Sequence, residues 1–402
     1  MRLSIVASHP VQYHAPLFRI LAQRFELMVF FAHRATQYDQ AQAGFGVGFD
    51  WDVDLLSGYE HVFLNNVARK PNLERFSGCD TPEIAARLAE ANPDAVLVLG
   101  WHLKTYLQAA FAAKRLGIPL LARGDSHLDT PRGVLKKIAK AAAYPFFLRL
   151  FDAALYVGER SHAYWRHYRY PETRLFFSPH CVDAAWFGER ATSEAGNALR
   201  ARLGIAPAAK VALFAGKLLQ FKRPDDLIKA AARLKVEGRE LEVLVAGSGP
   251  METEIAAFAR AAGVPLHMLG FYNQTEMPAA YAAADVLVLP SEHETWGLVA
   301  NEALACGRPV VLADSVGSAP DLAADGTAGR VFPVGDIGAL AEALRGVLAC
   351  PPTPQDIAVK SVAYGLSAAA GGIQSAVALS ARARRNGGHV RRRSGPKGLR
   401  VD

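Results

Sequence analysis

Cysteine is scarce: the 402 residues hold four, Cys79, Cys181, Cys306 and Cys350, with no CxxC pair and no neighbouring histidine at metal-ligand spacing. That gives no support for a disulfide framework or a structural zinc site and fits thiols kept reduced. No uninterrupted apolar run stands out at the roughly 20 residues a membrane-crossing helix needs. The opening MRLSIVASHP lacks the long apolar core and small-residue cleavage site of a secretory signal. The expectation is a cytoplasmic protein. A G-x-G-x-x-G fingerprint is also missing, since SHPVQYH after the first strand has no glycine and GSGPME lacks the third. A nicotinamide-dependent oxidoreductase is thereby set aside.

Excess charge is missing from the body of the chain. The formal net charge is +7, but residues 381–402 carry eight Arg or Lys and one Asp. Residues 1–380 are therefore neutral, and the basic balance belongs to a terminal tail expected to be disordered. A neutral body argues against nucleic-acid binding, which calls for a basic folded face.

What is present is an alternation of short apolar runs with Ala- and Leu-rich amphipathic stretches, the pattern of βα units and parallel sheets. Strands are predicted near 2–7, 26–32, 94–99, 117–122, 152–157 and 174–178, and then near 210–215, 241–246, 265–269, 284–289, 308–313 and 329–332. Two such series predict two Rossmann-like domains, residues 1–190 and 191–355. A helix over 356–380 follows, then the tail 381–402. Ligands of such sheets bind outside the carboxyl ends of the strands, so the loops there carry the chemistry.

The most informative loop is in PSEHETWGLVANEALACGRPVV, residues 290–311. A strand ends at Pro290, a short loop holds Glu294, and Gly297 opens a helix that ends at Gly307 before Pro309. Unbonded amides at a helix start favour a diphosphate. A carboxylate such as Glu302, one turn in, repels phosphate but accepts hydrogen bonds from sugar hydroxyls. Lys217 follows a strand and Gly216, and Lys222 comes five residues on. Both are placed to neutralise a diphosphate leaving group. Gly247 and Gly249 are expected at the donor site, where glycine lets backbone approach a ligand closely, and Phe271 stands beside a candidate base pocket.

Taken in order, these pieces resemble the donor domain of the family-4 retaining GT-B glycosyltransferases. The matching residues are Gly216-Lys217 with Lys222, the AGSGP loop, ADVLVLPS, and S-x-x-E-x-x-G-L-x-x-x-E-A-L-A-x-G from Ser291 to Gly307. The resemblance implies an α/β GT-B fold, two Rossmann-like domains facing each other across a cleft. It implies that Glu294 contacts the donor sugar, and that amides of Trp296, Gly297 and Leu298 hold sugar and phosphate. Leu298 and Val299 would line the site, Glu302 would bind ribose, and Lys217 and Lys222 would grip the diphosphate. Lys217 replaces the family's usual Arg, keeping the charge without the bidentate fork.

SHPVQYHAPLFRIL (8–21) is similar to the opening of bacterial polysaccharide and lipid-linked-glycan glycosyltransferases. His9, Gln12 and Tyr13 there, with Arg123 and His127 of RGDSH, are the acceptor-side candidates, and Asp125 joins Glu294, Lys217 and Lys222 as a catalytic candidate. The implied reaction moves a sugar from a UDP- or GDP-linked donor to a hydroxyl of a glycan or lipid-linked acceptor. It would proceed with retention and without metal or other cofactor. The alternatives weighed are a GT-B nucleotide-sugar epimerase and a non-catalytic nucleotide-sugar-binding relative. DWDVD (50–54) contains D-x-D triplets, but in a loop ahead of the donor half, and no metal site is expected there. The basic amphipathic stretch 132–151, with Lys136, Lys137 and Lys140, suggests peripheral docking at the inner face of a membrane as the alternative to a half-buried helix.

Overall fold

The structure, a computed structural model, describes residues 1–37, 41, 47–129 and 133–393, the side chains of 136, 383 and 385–393 excepted. Runs such as AVLV, VALFA, VLVL and VVLA are apolar at every position and buried throughout. Such runs suit parallel strands covered on both faces.

The first sheet holds β1 (Arg2–Ala7), β2 (Glu26–Phe31), β3 (Glu60–Phe63), β4 (Ala95–Val98), β5 (Leu120–Gly124), β6 (Ala153–Tyr156) and β7 (Leu175–Phe177). Their order is 3-2-1-4-5-6-7. The second holds β8 (Val211–Ala215), β9 (Glu242–Ala246), β10 (Leu266–Gly270), β11 (Val286–Leu289), β12 (Val310–Ala313) and β13 (Gly329–Phe332), ordered 10-9-8-11-12-13. All pairings are parallel, for example Leu3 opposite Ala95 and Leu287 opposite Val310. Each sheet reverses its winding once, between β1 and β4 and between β8 and β11, and those points open a crevice at the carboxyl ends.

The predicted strands are all present, and β3 is an addition. It pairs only with β2, and its residues are half-buried or exposed, so it lacks the apolar run of its neighbours.

Three further differences concern the domain limits. A boundary at 190 assigns the helix Ala184–Arg190 to the first domain, yet Val182 and Phe187 belong to the core of the second. The stretch 356–380 is not one helix. Pro354–Ala363 stops at Tyr364 and Gly365, and Leu366–Arg393 then runs 28 residues, beyond the expected end at 380. Residues 394–402 of the expected disordered tail lie outside the described residues. Finally, Pro354–Arg382 is long and apolar enough by length and composition to cross a membrane, contrary to the reading of the runs. Here Ala369, Ala370, Ile373, Ala376 and Val377 are buried with β1, β4 and β6 in the first domain's core. The chain thus crosses from the first domain to the second and returns.

Candidate active site

The two carboxyl-end edges face each other across a cleft of about 1070 Å³ lined from both domains. On the second domain it collects Gly216, Lys217, Lys222, Gly247, Phe271, Glu294, Trp296, Gly297, Leu298, Val299 and Glu302. Residues spread over 87 positions of sequence arrive together because each follows a strand of one parallel sheet.

The helix Leu298–Ala305 starts at Gly297, whose φ of 89° is a left-handed value that favours glycine. No side chain caps this end and no acid stands in the first turn. The Ala300 amide bonds Gly297 O at 2.9 Å, and Leu298 and Val299 line the cleft, where the positive end of the helix dipole favours an anion. Lys222 Nζ is ion-paired with Glu294 Oε2, both largely shielded. Lys217 has its pKa lowered by burial and by Lys222, with Glu294 opposing. Two lysines confined in this way gain from a polyanion that relieves their repulsion.

Glu302 is 5% exposed. Its Oε1 accepts from the Tyr13 hydroxyl at 2.9 Å and its Oε2 from the Tyr281 hydroxyl at 2.6 Å. Burial lifts its pKa to about 7 against the pull of both hydroxyls. Tyr13, an acceptor-side candidate, is therefore bonded to the donor-side carboxylate. The sequence order hid this because the helix His14–Arg24 delivers Tyr13 from the opposite domain.

Two glycines part company. A Cβ on Gly247, at φ 153°, would stand 1.8 Å from Gly216 O, and Gly247 lines the cleft. Gly249 is absent from the lining. A Cβ there would meet Leu218 O at 2.6 Å, and the Leu218 amide bonds Ser248 O at 2.9 Å. The close approach it permits joins the loops after β8 and β9 to each other.

On the first domain Gln12, Tyr13, Asp125 and His127 line the cleft, whereas His9 and Arg123 do not. His9 shares a hydrogen bond with Ser8 Oγ at 3.0 Å. Arg123 is buried and spends its guanidinium on Pro179 O at 2.7 Å and on Ser178 O and Oγ, both at 3.2 Å. It ties the ends of β5 and β7 together. Asp125 keeps its charge: burial opposes it, but His180, with Nε2 at 3.6 Å, and Arg123 hold the carboxyl down at about 2.

Several lining residues escaped the sequence reading. His14, His102 and His180 surround a side hollow of about 250 Å³ next to Asp125. His14 is pushed down to about 3 by burial, Arg123 and His180, so it is neutral at ordinary pH. Arg160 reaches across the cleft to the carbonyls of Asp314 and Ser315 and lies 3.3 Å from Asp129. Phe271, expected at a base pocket, packs against Phe49 with centroids 4.4 Å apart and rings tilted by 39°, and Trp51 meets Phe49 edge-on. Of the acids of DWDVD, Asp52 reaches the second domain, accepting from the Thr275 amide at 3.1 Å, and Asp54 accepts locally from the amides of Leu56 and Ser57. Among the described residues no cluster of three or more His, Cys, Asp or Glu is arranged to hold a metal.

Comparisons with known proteins agree with this geometry. A D-inositol 3-phosphate glycosyltransferase of Catenulispora acidiphila is 37% identical over 178 residues, 42% of this chain and 42% of the relative. The matched stretch thus spans less than half of that relative's length. Among solved structures, a glycosyltransferase of Rickettsia africae superposes with a TM-score of 0.70 at 12% identity, covering 94% of this chain and 97% of that one. Anabaena HepE in complex with UDP also scores 0.70, at 15% identity, covering 94% of this chain and all of the other. The fold is GT-B, and residues 197–361, the C-terminal part that carries the second sheet, match the family model "Glycosyl transferases group 1".

Proposed function

We propose that the protein transfers a sugar from a nucleotide-diphosphate sugar to a hydroxyl acceptor, retaining the anomeric configuration and using no metal. The observation that carries this reading is the convergence of Lys217, Lys222, Glu294, Glu302 and an uncapped helix start on one cleft. The lysines and the helix amides would hold the diphosphate and stabilise the charge that grows on it as the glycosidic bond breaks. Glu302 would accept from ribose hydroxyls and Glu294 from the sugar. No side chain is assigned as a covalent nucleophile. The acceptor oxygen would attack the anomeric carbon from the leaving-group face, its proton passing to the departing phosphate oxygen. Asp125, His127 and the hollow lined by His14, His102 and His180 would face the acceptor.

Relatives named as glycosyltransferases favour transfer over epimerisation, and HepE has been solved with UDP-glucose, which favours a UDP-linked donor over GDP. The family match covers the donor half, so the acceptor is argued from the first domain alone: a glycan or lipid-linked glycan. The reading places the enzyme in the cytoplasm, with its reactants. Docking on a membrane is supported by the helix Val134–Phe147, where Val134, Leu135, Ile138 and Phe146 are exposed beside Lys137. Its Lys140 faces the rings of Tyr144 and Tyr164, and the Lys136 side chain lies outside the described residues.

Calorimetric titration with UDP, GDP, ADP and their sugar conjugates tests the donor site. One nucleotide series is expected to bind. Glu302→Ala should raise its Kd by about tenfold or more, given a hydrogen bond to a charged group, and Glu294→Ala should mainly lower turnover. Wild-type behaviour of both variants would sink the assignment.

A further inference from the structure

Glu302 is held by two tyrosines from opposite sides. Tyr281 lies on the helix Met277–Ala283 of the second domain, whereas Tyr13 stands at the start of the first helix of the first domain. An ionised carboxylate only accepts, and each of its oxygens offers two lone pairs. Tyr13 occupies one on Oε1 and Tyr281 one on Oε2. One lone pair remains on each oxygen, the complement that two neighbouring hydroxyls of a ribose require. The Tyr281 hydroxyl is buried, so its bond is fixed within one domain. The Tyr13 bond spans 289 positions of sequence and exists only while the two domains stand together.

We propose that Tyr13 is a positioning residue for the donor: its hydroxyl orients the Glu302 carboxylate toward the ribose diol and makes recognition of that diol depend on the juxtaposition of the two domains. The inference rests on the reading of Glu302 as the ribose carboxylate. It gives Tyr13 a place on the nucleotide side of the cleft and removes it from the acceptor side. Gln12 and Glu294 line the same cleft beside Tyr13. The phenol itself, part-buried beside Glu302, has its pKa raised well above normal by desolvation and by Glu302 and remains a hydrogen-bond donor.

Tyr13→Phe removes the hydroxyl and keeps the ring, so the test compares this variant with the full-length wild type by calorimetric titration. The ligands are UDP or GDP, whichever the wild type binds, and the 2′,3′-dideoxy form of the same nucleotide. With the ribonucleotide, Kd should rise about fivefold to twentyfold, as for loss of part of a hydrogen bond to a charged group. With the dideoxy form it should change less than twofold. Tyr281→Phe is a second variant and should show the same ribose-dependent loss. An equal loss with both ligands, the mark of a merely structural role, would overturn the proposal, as would no loss with either. Failure of the wild type to bind any nucleoside diphosphate would remove the donor reading and this inference together. Wild-type binding with an unaffected Tyr13→Phe would remove the inference alone.

Discussion

A buried carboxylate that functions as an acceptor carries a cost that depends on pH. Glu302 has a folded pKa of about 7 against an ordinary 4.5, because burial disfavours its charge more than two tyrosine hydroxyls favour it. The folded state therefore holds this proton more tightly than the unfolded chain does. Stability is undiminished below the unfolded pKa and falls as pH rises toward the folded one. At about 1.4 kcal/mol per pH unit the loss is on the order of 3 kcal/mol above pH 7. Glu302→Gln keeps the shape, can still pair with both hydroxyls and cannot ionise. It should melt several degrees above wild type at pH 8 and level with it near pH 4.5, while binding nucleotide more weakly. A melting difference that is the same at both pH values would show that burial of the charge is not its source. The same titration implies that wild-type donor affinity weakens as pH falls through 7, since a protonated Glu302 has fewer lone pairs to offer.

At the level of elements, the sheet supplies positions and the loops supply chemistry, and the second sheet's first two loops are packed against each other with no room to spare. Gly247 combines a left-handed φ of 153° with a would-be Cβ at 1.8 Å from Gly216 O. Gly247→Ala adds strain and overpacking together, and a loss of about 3 kcal/mol or more is expected. Chemical denaturation would measure it. A loss under ~1 kcal/mol would mean that the loop after β8 can move aside. These loops also show which features were legible in the sequence. Parallel strands such as VALFA and VLVL announce themselves because both faces are buried. Glu294, Gly297 and Glu302 were legible because one strand end and one helix start bring them together locally. The edge strand Glu60–Phe63 was not, since it has one partner strand and little apolar pattern. The roles of Tyr13, Phe49, Arg160 and His180 were invisible because each depends on a contact between distant segments. Gly249 shows a related limit: GxG spacing reports close approach without saying what approaches, and the neighbour at Gly249 is Leu218.

For the whole molecule the seam between domains decides how the site is assembled. Its contacts flank the cleft. Asn273 donates to Asp50 O at 2.8 Å and Phe271 packs against Phe49 on one side. On the other, the Glu159 amide donates to Asp321 Oδ1 at 3.0 Å, where burial raises the Asp321 carboxyl to about 6 and Tyr364 donates to the same oxygen. Gly158 lies at this second contact. A Cβ there would fall 2.5 Å from a ring atom of Trp296 and 2.7 Å from Asp321 Oδ1, both in the other domain. The Gly158 φ of 178° is extended backbone open to any residue, so Gly158→Ala should not strain its own strand end. Nor can Trp296 easily retreat, since it is 4% exposed and its Nε1 donates to Asn301 Oδ1 at 2.8 Å. The substitution therefore acts on the seam alone. Each domain should keep its melting behaviour, the radius of gyration from small-angle scattering should rise, and nucleotide affinity should fall because Tyr13 is drawn away from Glu302. Adding the preferred nucleotide at saturation should partly restore the compact form, since a ligand that binds the joined state better shifts the equilibrium toward it. Unchanged scattering with reduced affinity would instead place the effect in Trp296 itself, whose amide is expected at the donor phosphate.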